Sequence, residues 1–185
     1  MKDFFERYSY NCVRLFLNQV AIAIFGFSLA MAGGLAKNHT LQIVTSVFSI
    51  IFYLFLEYTV MWEVGAKDRV SIDLGKRKLD LSTPVKMWLL SNSINILLAV
   101  FIMLGSLLPN VEVLSNIGGG CGFAALILEG MYTGLLTVNI APDTPLNSIW
   151  IFYYLITLPS LATTFVSYLL GVKNIGSLLV PKKKN

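Results

Sequence analysis

Residues that bind metals or form cross-links are scarce in this chain. Its 185 residues include two cysteines, Cys12 and Cys121, and one histidine, His39. These three residues do not form a cluster with zinc or iron spacing, so we expect no metal site and no cofactor. The topology derived below places the two cysteines at different depths of a membrane, and we therefore expect no intrachain disulfide.

Charge is also scarce. Charged residues make up 13% of the chain, about half of the share in an average soluble domain, whereas 56% of the residues are hydrophobic. The longest polar stretch, residues 63–84, is too short to form a separate soluble domain. We therefore predict a single domain over residues 1–185.

What the chain has in abundance is long apolar segments. Each of them is long enough to cross about 30 Å of hydrocarbon as a helix that rises about 1.5 Å per residue. The predicted spans are residues 15–35, 41–62, 85–108 and 149–171. The sequence thus predicts an all-α fold, a polytopic transmembrane helical bundle with the lipid bilayer as its principal partner.

The basic residues predict the orientation of this bundle. With four spans and a cytoplasmic N-terminus, every one of the 14 lysines and arginines except Lys37 lies on the cytoplasmic side. The run Lys182–Lys184 then places the C-terminus in the cytoplasm as well. We interpret these charges as topology determinants at a cell membrane, and we expect no nucleic-acid partner.

Two polar segments leave alternatives open. Residues 1–14 mix aromatic and charged side chains, which suits a short helix at the headgroup boundary, before the first span turns inward, or a solvated leader. In residues 63–84, apolar and polar side chains alternate on both sides of Gly75, which is typical of a short β-hairpin. A solvated loop explains that segment equally well.

Residues 117–140 form a fifth apolar segment of a different kind. It begins with the run Gly118–Gly122 and carries Glu129 in its middle. If it crossed the membrane, the last span would deliver Lys182–Lys184 to the outside, against the charge rule. We therefore predict a glycine-rich re-entrant or outer-leaflet helix with irregular backbone at the glycines, and the alternative is a fifth span.

Small residues and one proline give more local predictions. One stripe of the first span consists of Ala23, Gly26, Ala30 and Gly33 or Gly34, which favours close helix packing inside the bundle and, as an alternative, a dimerisation face. Pro159 removes a helical hydrogen bond and predicts a kink in the last span.

A polar layer lies about 6–14 Å from the predicted inner interface. Its members are Asn18, Gln19, Glu57, Asn92, Asn95, Thr163, Thr164 and Ser167. Glu57 is its most informative residue, because a carboxyl group at membrane depth faces a partner or water. We consider a proton or cation site, with the amides as ligands, against structural hydrogen bonding between helices, and the second interpretation is preferred.

Glu129 is a second candidate binding residue, close to Tyr132 and Thr133. It either lines the outer approach to the bundle or turns toward water from a half-buried helix, and we expect the latter. Glu57 and Glu129 fall in opposite halves of the membrane and His39 stands alone, so no catalytic residues are predicted.

Short motifs carry a resemblance to a family. The stretches Trp62–Asp68 (WEVGAKD), Leu158-Pro159 and Ser167–Lys173 (SYLLGVK) resemble small four-span integral membrane proteins of Gram-positive bacteria, for which no activity is known. The resemblance implies a bacterial plasma membrane and supplies no substrate.

These observations support three hypotheses about function. We expect a non-catalytic helical subunit that packs with itself, as a homo-oligomer, or with a larger membrane transport or signalling partner. A small transporter or channel that uses the polar layer is the alternative. An intramembrane enzyme is disfavoured.

Overall fold

A computed structural model describes residues 2–142 and 144–175, and this part of the chain is almost entirely helical. Its α-helices are α1 (Lys2–Leu35), α2 (His39–Asp73), α3 (Ser82–Ser91), α4 (Ser93–Leu107), α5 (Glu112–Leu128), α6 (Thr133–Leu136), α7 (Ile151–Leu155) and α8 (Leu158–Val172). Two 3-10 turns cover Gly130–Tyr132 and Leu146–Ser148. The strands β1 (Asn139–Ala141) and β2 (Thr144–Pro145) pair antiparallel and were not predicted. The predicted cytoplasmic run Lys182–Lys184 lies outside the described residues.

Three helical segments are long and apolar enough to cross a membrane. They are Asp3–Leu35, His39–Asp73 and Ile151–Val172. The pairs α3 with α4 and α5 with Gly130–Leu136 are each interrupted, and they raise the number to five if each pair is one span. The prediction of several membrane-spanning helices therefore fits the structure, and the four-span arrangement stays a prediction.

The N-terminal segment is helical, as one of the two alternatives predicted, but it continues the first span and does not form a separate short helix. Tyr8, Cys12 and Leu15 are buried in the described structure. Their spacings of four and three residues place them on one helix face. The packing of this face stabilises the part of α1 that precedes the predicted span.

The predicted hairpin in residues 63–84 is also wrong, because α2 continues to Asp73. Val60, Val64 and Asp68 recur every four residues on its buried face. The helix ends at Gly75, which has a left-handed backbone with φ of 68°. The Gly75 N–H donates to the Ile72 carbonyl and the Lys76 N–H donates to the Ser71 carbonyl. This pair of bonds is a Schellman ending.

The predicted third span is not continuous. It consists of α3 and α4, which are interrupted at Asn92. The interruption falls in the polar run Ser91-Asn92-Ser93, and the Ser91 hydroxyl donates to the Trp88 carbonyl. Side chains of this kind compete with the helical backbone for hydrogen bonds.

The glycine run of the fifth apolar segment is regular helix, so the expected irregular backbone is absent there. Gly118 instead gives α5 a close approach to α4, since a Cβ placed on Gly118 or Gly105 would lie within 3.0 Å of the other's Cα. The chain bends by 85° between Glu112–Leu128 and Gly130–Leu136. The break therefore lies at Glu129 and not at the start of the segment.

A kink was predicted at Pro159, and the helix is interrupted just before this residue. Helix α7 ends at Leu155 and α8 begins at Leu158, so that Pro159 occupies the first turn of α8. In a first turn the missing N–H of proline costs no helical hydrogen bond.

The helices contribute to two compact units. The first unit takes residues 2–15, 54–91 and 159–175 from the described chain. Its core contains Tyr8, Cys12, Leu15, Val60, Met61, Val64, Met87 and Tyr168. Gly65 of α2 and Gly171 of α8 meet there without side chains between them, because a Cβ on either would lie within 3.0 Å of a carbonyl oxygen of the other helix.

The second unit takes residues 16–53 and 92–158. The small residues Ala23, Gly26 and Ala30 of α1 are buried inside it. A Cβ on Gly130 would collide with the Ala23 carbonyl, and a Cβ on Gly26 would collide with the Met131 backbone. Close packing within the chain is therefore confirmed, and this stripe is not free to serve as a dimerisation face.

Candidate functional site

The strongest polar cluster of the first unit is centred on the buried carboxylate of Asp68. Arg7 Nη2 donates to Asp68 Oδ1 at 2.6 Å. The hydroxyls of Tyr8 and Tyr168 donate to Asp68 Oδ2 at 2.6 Å and 2.9 Å. One carboxylate thus connects α1, α2 and α8, and each of its oxygens is engaged.

A second layer of contacts surrounds this cluster. Arg7 Nη2 also donates to Ser71 Oγ at 3.0 Å, and Arg77 Nη1 donates to the Tyr8 hydroxyl at 3.1 Å. The Tyr8 hydroxyl therefore bonds both to the Asp68 carboxylate and to Arg77, in the loop that follows α2. These bonds hold the loop against the end of the helices.

A cavity of about 330 Å³ opens above the cluster. Its buried wall is formed by Tyr8, Asp68, Thr83 and Tyr168, and its rim carries exposed charged residues. The rim residues are Asp3, Arg77, Lys78, Asp80 and Lys86. Such a mixture of hydroxyl donors and charges suits a small polar or ionic ligand, and the volume is typical of ligand sites.

Asp80 organises the side of this cavity where α3 begins. Its Oδ1 accepts hydrogen bonds from the Ser82 hydroxyl at 2.6 Å and from the Ser82 N–H at 2.9 Å. These two bonds lower the pKa of the Asp80 carboxyl, with a smaller contribution from the charge of Lys86. The Lys86 Nζ lies 3.6 Å from Asp80 Oδ2 in an exposed pair.

Helical spacing explains why these residues meet. Asp68 lies on the same buried face of α2 as Val60 and Val64, and Tyr8 lies on the buried face of α1. On α8, Tyr168 is followed by Gly171, whose close contact with α2 brings the tyrosine hydroxyl to the carboxylate. The Schellman ending at Gly75 then turns Arg77 back toward Tyr8.

Glu57, the most informative residue of the predicted polar layer, also belongs to the first unit. Its side chain is 2% exposed, and its Oε1 accepts a hydrogen bond of 2.5 Å from the Ser160 hydroxyl. Thr164 and Ser167 lie on the same buried face of α8, but their hydroxyls donate to carbonyls of their own helix. The structure therefore brings Glu57 to Ser160, a partner that was not predicted.

The predicted amide ligands belong to the second unit. Gln19, Asn92 and Asn95 are buried there, whereas Asn18 is half-buried. Asn95 Nδ2 donates to Asn92 Oδ1 at 3.3 Å, across the helix break. Gln19 Oε1 has no hydrogen-bond partner in the described part of the chain.

Glu129 is buried, with 4% of its surface exposed, so the expectation that it turns toward water is wrong. It lies at the 85° bend after α5, where its N–H donates to the Ala125 carbonyl at 2.7 Å. Gly134 packs the following turn onto α2, and its N–H donates to Ser46 Oγ at 2.9 Å. Glu129 is therefore buried beside a turn that packs against α2.

Sequence reasoning missed the Asp68 cluster because it treated Arg7 as a topology charge and Asp68 as part of a loop. One signal was available. Arg7 precedes Arg14 by two helical turns and Asp68 follows Trp62 by nearly two, so continuous helices place both at a similar depth. The ion pair between Arg14 and Glu63, at 2.7 Å, marks that common level.

The cluster has the chemistry of a binding site. Asp68 is already occupied by three donors, and no group of three or more His, Cys, Asp or Glu residues in positions 2–142 and 144–175 could hold a metal ion. Cys12 and Cys121 are free thiols. The groups that face the cavity can hold a ligand by charge and hydrogen bonding.

Comparison with known proteins supplies no relative for this arrangement: no family model, curated protein or solved structure matches the chain.

Proposed function

We propose that this chain is a multi-pass protein of a bacterial plasma membrane with both termini in the cytoplasm. The long apolar helices support the membrane location. The basic residues support the orientation, because four spans leave only Lys37 outside. The resemblance carried by Trp62–Asp68 and Ser167–Lys173 supports the bacterial source.

Within that membrane the chain acts as a non-catalytic helical subunit that packs with itself or with a larger transport or signalling protein. The Asp68 cluster is the observation that carries this proposal. A carboxylate held by one guanidinium and two hydroxyls fixes three helices relative to one another and shapes the wall of a cavity, which is a structural role. Apolar side chains such as Phe48 and Phe52 remain exposed for lipid or a partner helix.

Purification in a mild detergent tests the subunit proposal. A tagged full-length chain, analysed by size exclusion with light scattering, should migrate as a homo-oligomer or with a second membrane protein in a fixed ratio. An unrelated tagged membrane protein, purified in parallel, controls for carry-over. A monomer without any partner at low detergent concentration would contradict the proposal.

Cysteine labelling tests the orientation. In a chain whose two natural cysteines are replaced by serine, Ala36→Cys should react with a membrane-impermeant maleimide in intact cells. Lys76→Cys and Asn185→Cys should react only after the membrane is opened. Labelling of Asn185→Cys in intact cells would reject the four-span arrangement and favour a fifth crossing.

A small proton- or cation-coupled transporter is the second candidate function, favoured by the buried pair of Glu57 and Ser160. In that case Glu57→Gln should abolish a pH-dependent flux in proteoliposomes and leave expression intact, because the amide keeps the shape and loses the charge. Unchanged pH-dependent flux in Glu57→Gln would reject this candidate.

A further inference from the structure

We propose that the cavity above Asp68 binds the phosphodiester of a phospholipid headgroup from the inner leaflet. This inference rests on the proposed orientation, which puts the end of the first unit at the cytoplasmic surface. It assigns a ligand class to a cavity whose residues were not among the predicted binding residues.

The charges around the cavity pair off and leave a positive remainder. Asp68 is neutralised by Arg7, which lies behind the cavity wall, and Asp80 is paired with Lys86. Arg77 and Lys78 have no carboxylate partner among the described residues. With Asp3 as the remaining acid, the net charge of the site is one positive unit, which matches a singly charged phosphodiester better than a doubly charged phosphate monoester.

Donors for the phosphate oxygens are present beside these charges. Arg77 already contacts the Tyr8 hydroxyl at 3.1 Å, so its guanidinium is held at the cavity and keeps further N–H groups for a ligand. Thr83 also lines the cavity, where its side chain hydrogen-bonds with Tyr168 and would have to turn to meet a ligand. Arginine, lysine and hydroxyl groups are the usual protein partners of a phosphate.

The predicted depth of the cavity is the aqueous edge of the headgroup layer. Asp68 lies six residues beyond Trp62, which marks the predicted inner interface, and this distance along α2 is about 9 Å. The headgroup layer of a bilayer is about 5–8 Å thick on each side, so Asp68 lies just beyond this layer and a headgroup reaches the cavity from the membrane side. Phe4 and Ile72 supply apolar wall surface for the glycerol end of a lipid.

The test is a titration of the purified full-length chain in detergent with dihexanoyl phosphatidylglycerol, followed by calorimetry. The variant is Arg77→Gln combined with Lys78→Gln. The matched control is Lys76→Gln combined with Lys173→Gln, which removes the same charge from exposed positions of the same unit outside the cavity lining. Each basic residue near an anionic headgroup contributes about fivefold, so the variant should bind about 30-fold more weakly and the control within about twofold of wild type.

Three results would overturn the proposal. They are the absence of saturable binding to wild type, an equal loss in the control, and binding of inorganic phosphate as tight as that of the lipid, which would assign the site to a free phosphate. Lys78→Gln alone, expected to weaken binding about fivefold, keeps the test valid if the double variant misfolds. Oligomeric state and labelling test the proposed function independently, because binding in detergent depends on neither.

Discussion

The hydroxyl of Tyr168 provides a direct measure of how much the Asp68 cluster stabilises the first unit. Tyr168 is 1% exposed and its hydroxyl donates to the carboxylate at 2.9 Å. Tyr168→Phe removes that bond and leaves the ring in place. A hydrogen bond to a charged group contributes about 1.5–3 kcal/mol, so the free energy of unfolding should fall by that amount.

Equilibrium unfolding in mixed micelles with increasing sodium dodecyl sulfate, followed by circular dichroism, measures this loss. Tyr10→Phe is the matched control, because Tyr10 is 76% exposed and its hydroxyl bonds to no described residue; its effect should stay within about 0.5 kcal/mol. In an Asp68→Asn background, Tyr168→Phe should cost about 1 kcal/mol less than in wild type. Equal stability of Tyr168→Phe and Tyr10→Phe would refute the assigned role of the cluster.

Two further predictions concern Gly65 and Asp80 of the first unit, with Gly120 of the second unit as a control for the glycine substitution. Gly65→Ala should destabilise the chain in the same unfolding assay, because the new Cβ would lie within 3.0 Å of the Tyr168 carbonyl and backbone must move. Gly120→Ala, whose Cβ meets nothing within 4 Å, should be neutral or stabilising by up to about 1 kcal/mol. If Gly120→Ala destabilised the chain more than Gly65→Ala, the close contact between α2 and α8 at Gly65 would be contradicted. Asp80→Ala should cost about 0.5 kcal/mol near neutral pH through loss of the bonds to Ser82, a small value because the side chain is 57% exposed and solvent screens its charge. Since the folded state lowers the pKa of Asp80, its contribution is complete above the ordinary carboxyl pKa and disappears as pH falls through the lowered value; a cost that persists in acid would argue against this assignment.

The elements that could be predicted depend on local pattern. Long apolar runs predicted the long helices. Pro159 predicted a disturbance of the last span, and the stripe at Ala23, Gly26 and Ala30 predicted close helix packing. Each of these follows from residues adjacent on one helix or from the backbone chemistry of one residue type.

The candidate site could not be predicted in the same way, because its groups are distant in the chain. The hydroxyls that bond to Asp68 belong to residues 60 and 100 positions away. These contacts form only because α1 and α2 continue as helices beyond the predicted membrane spans. The polar composition of those extensions had suggested loops instead. The burial of Glu129 likewise depends on a bend at Gly130, where the glycine allows a close contact with α1 that cannot be recognised before the packing of the helices is known.

The discontinuous make-up of the first unit has a consequence for how the protein is made. Tyr168 leaves the ribosome 100 residues after Asp68, and at a synthesis rate of about 5–20 residues per second the carboxylate waits roughly 5–20 s for its last donor. During that interval α1 and α2 have already been synthesised, and α1 carries Arg7 and Tyr8, two of the three donors to Asp68. Since Tyr168 of α8 forms part of the cavity wall, a nascent chain that stalls before α8 lacks this part of the site.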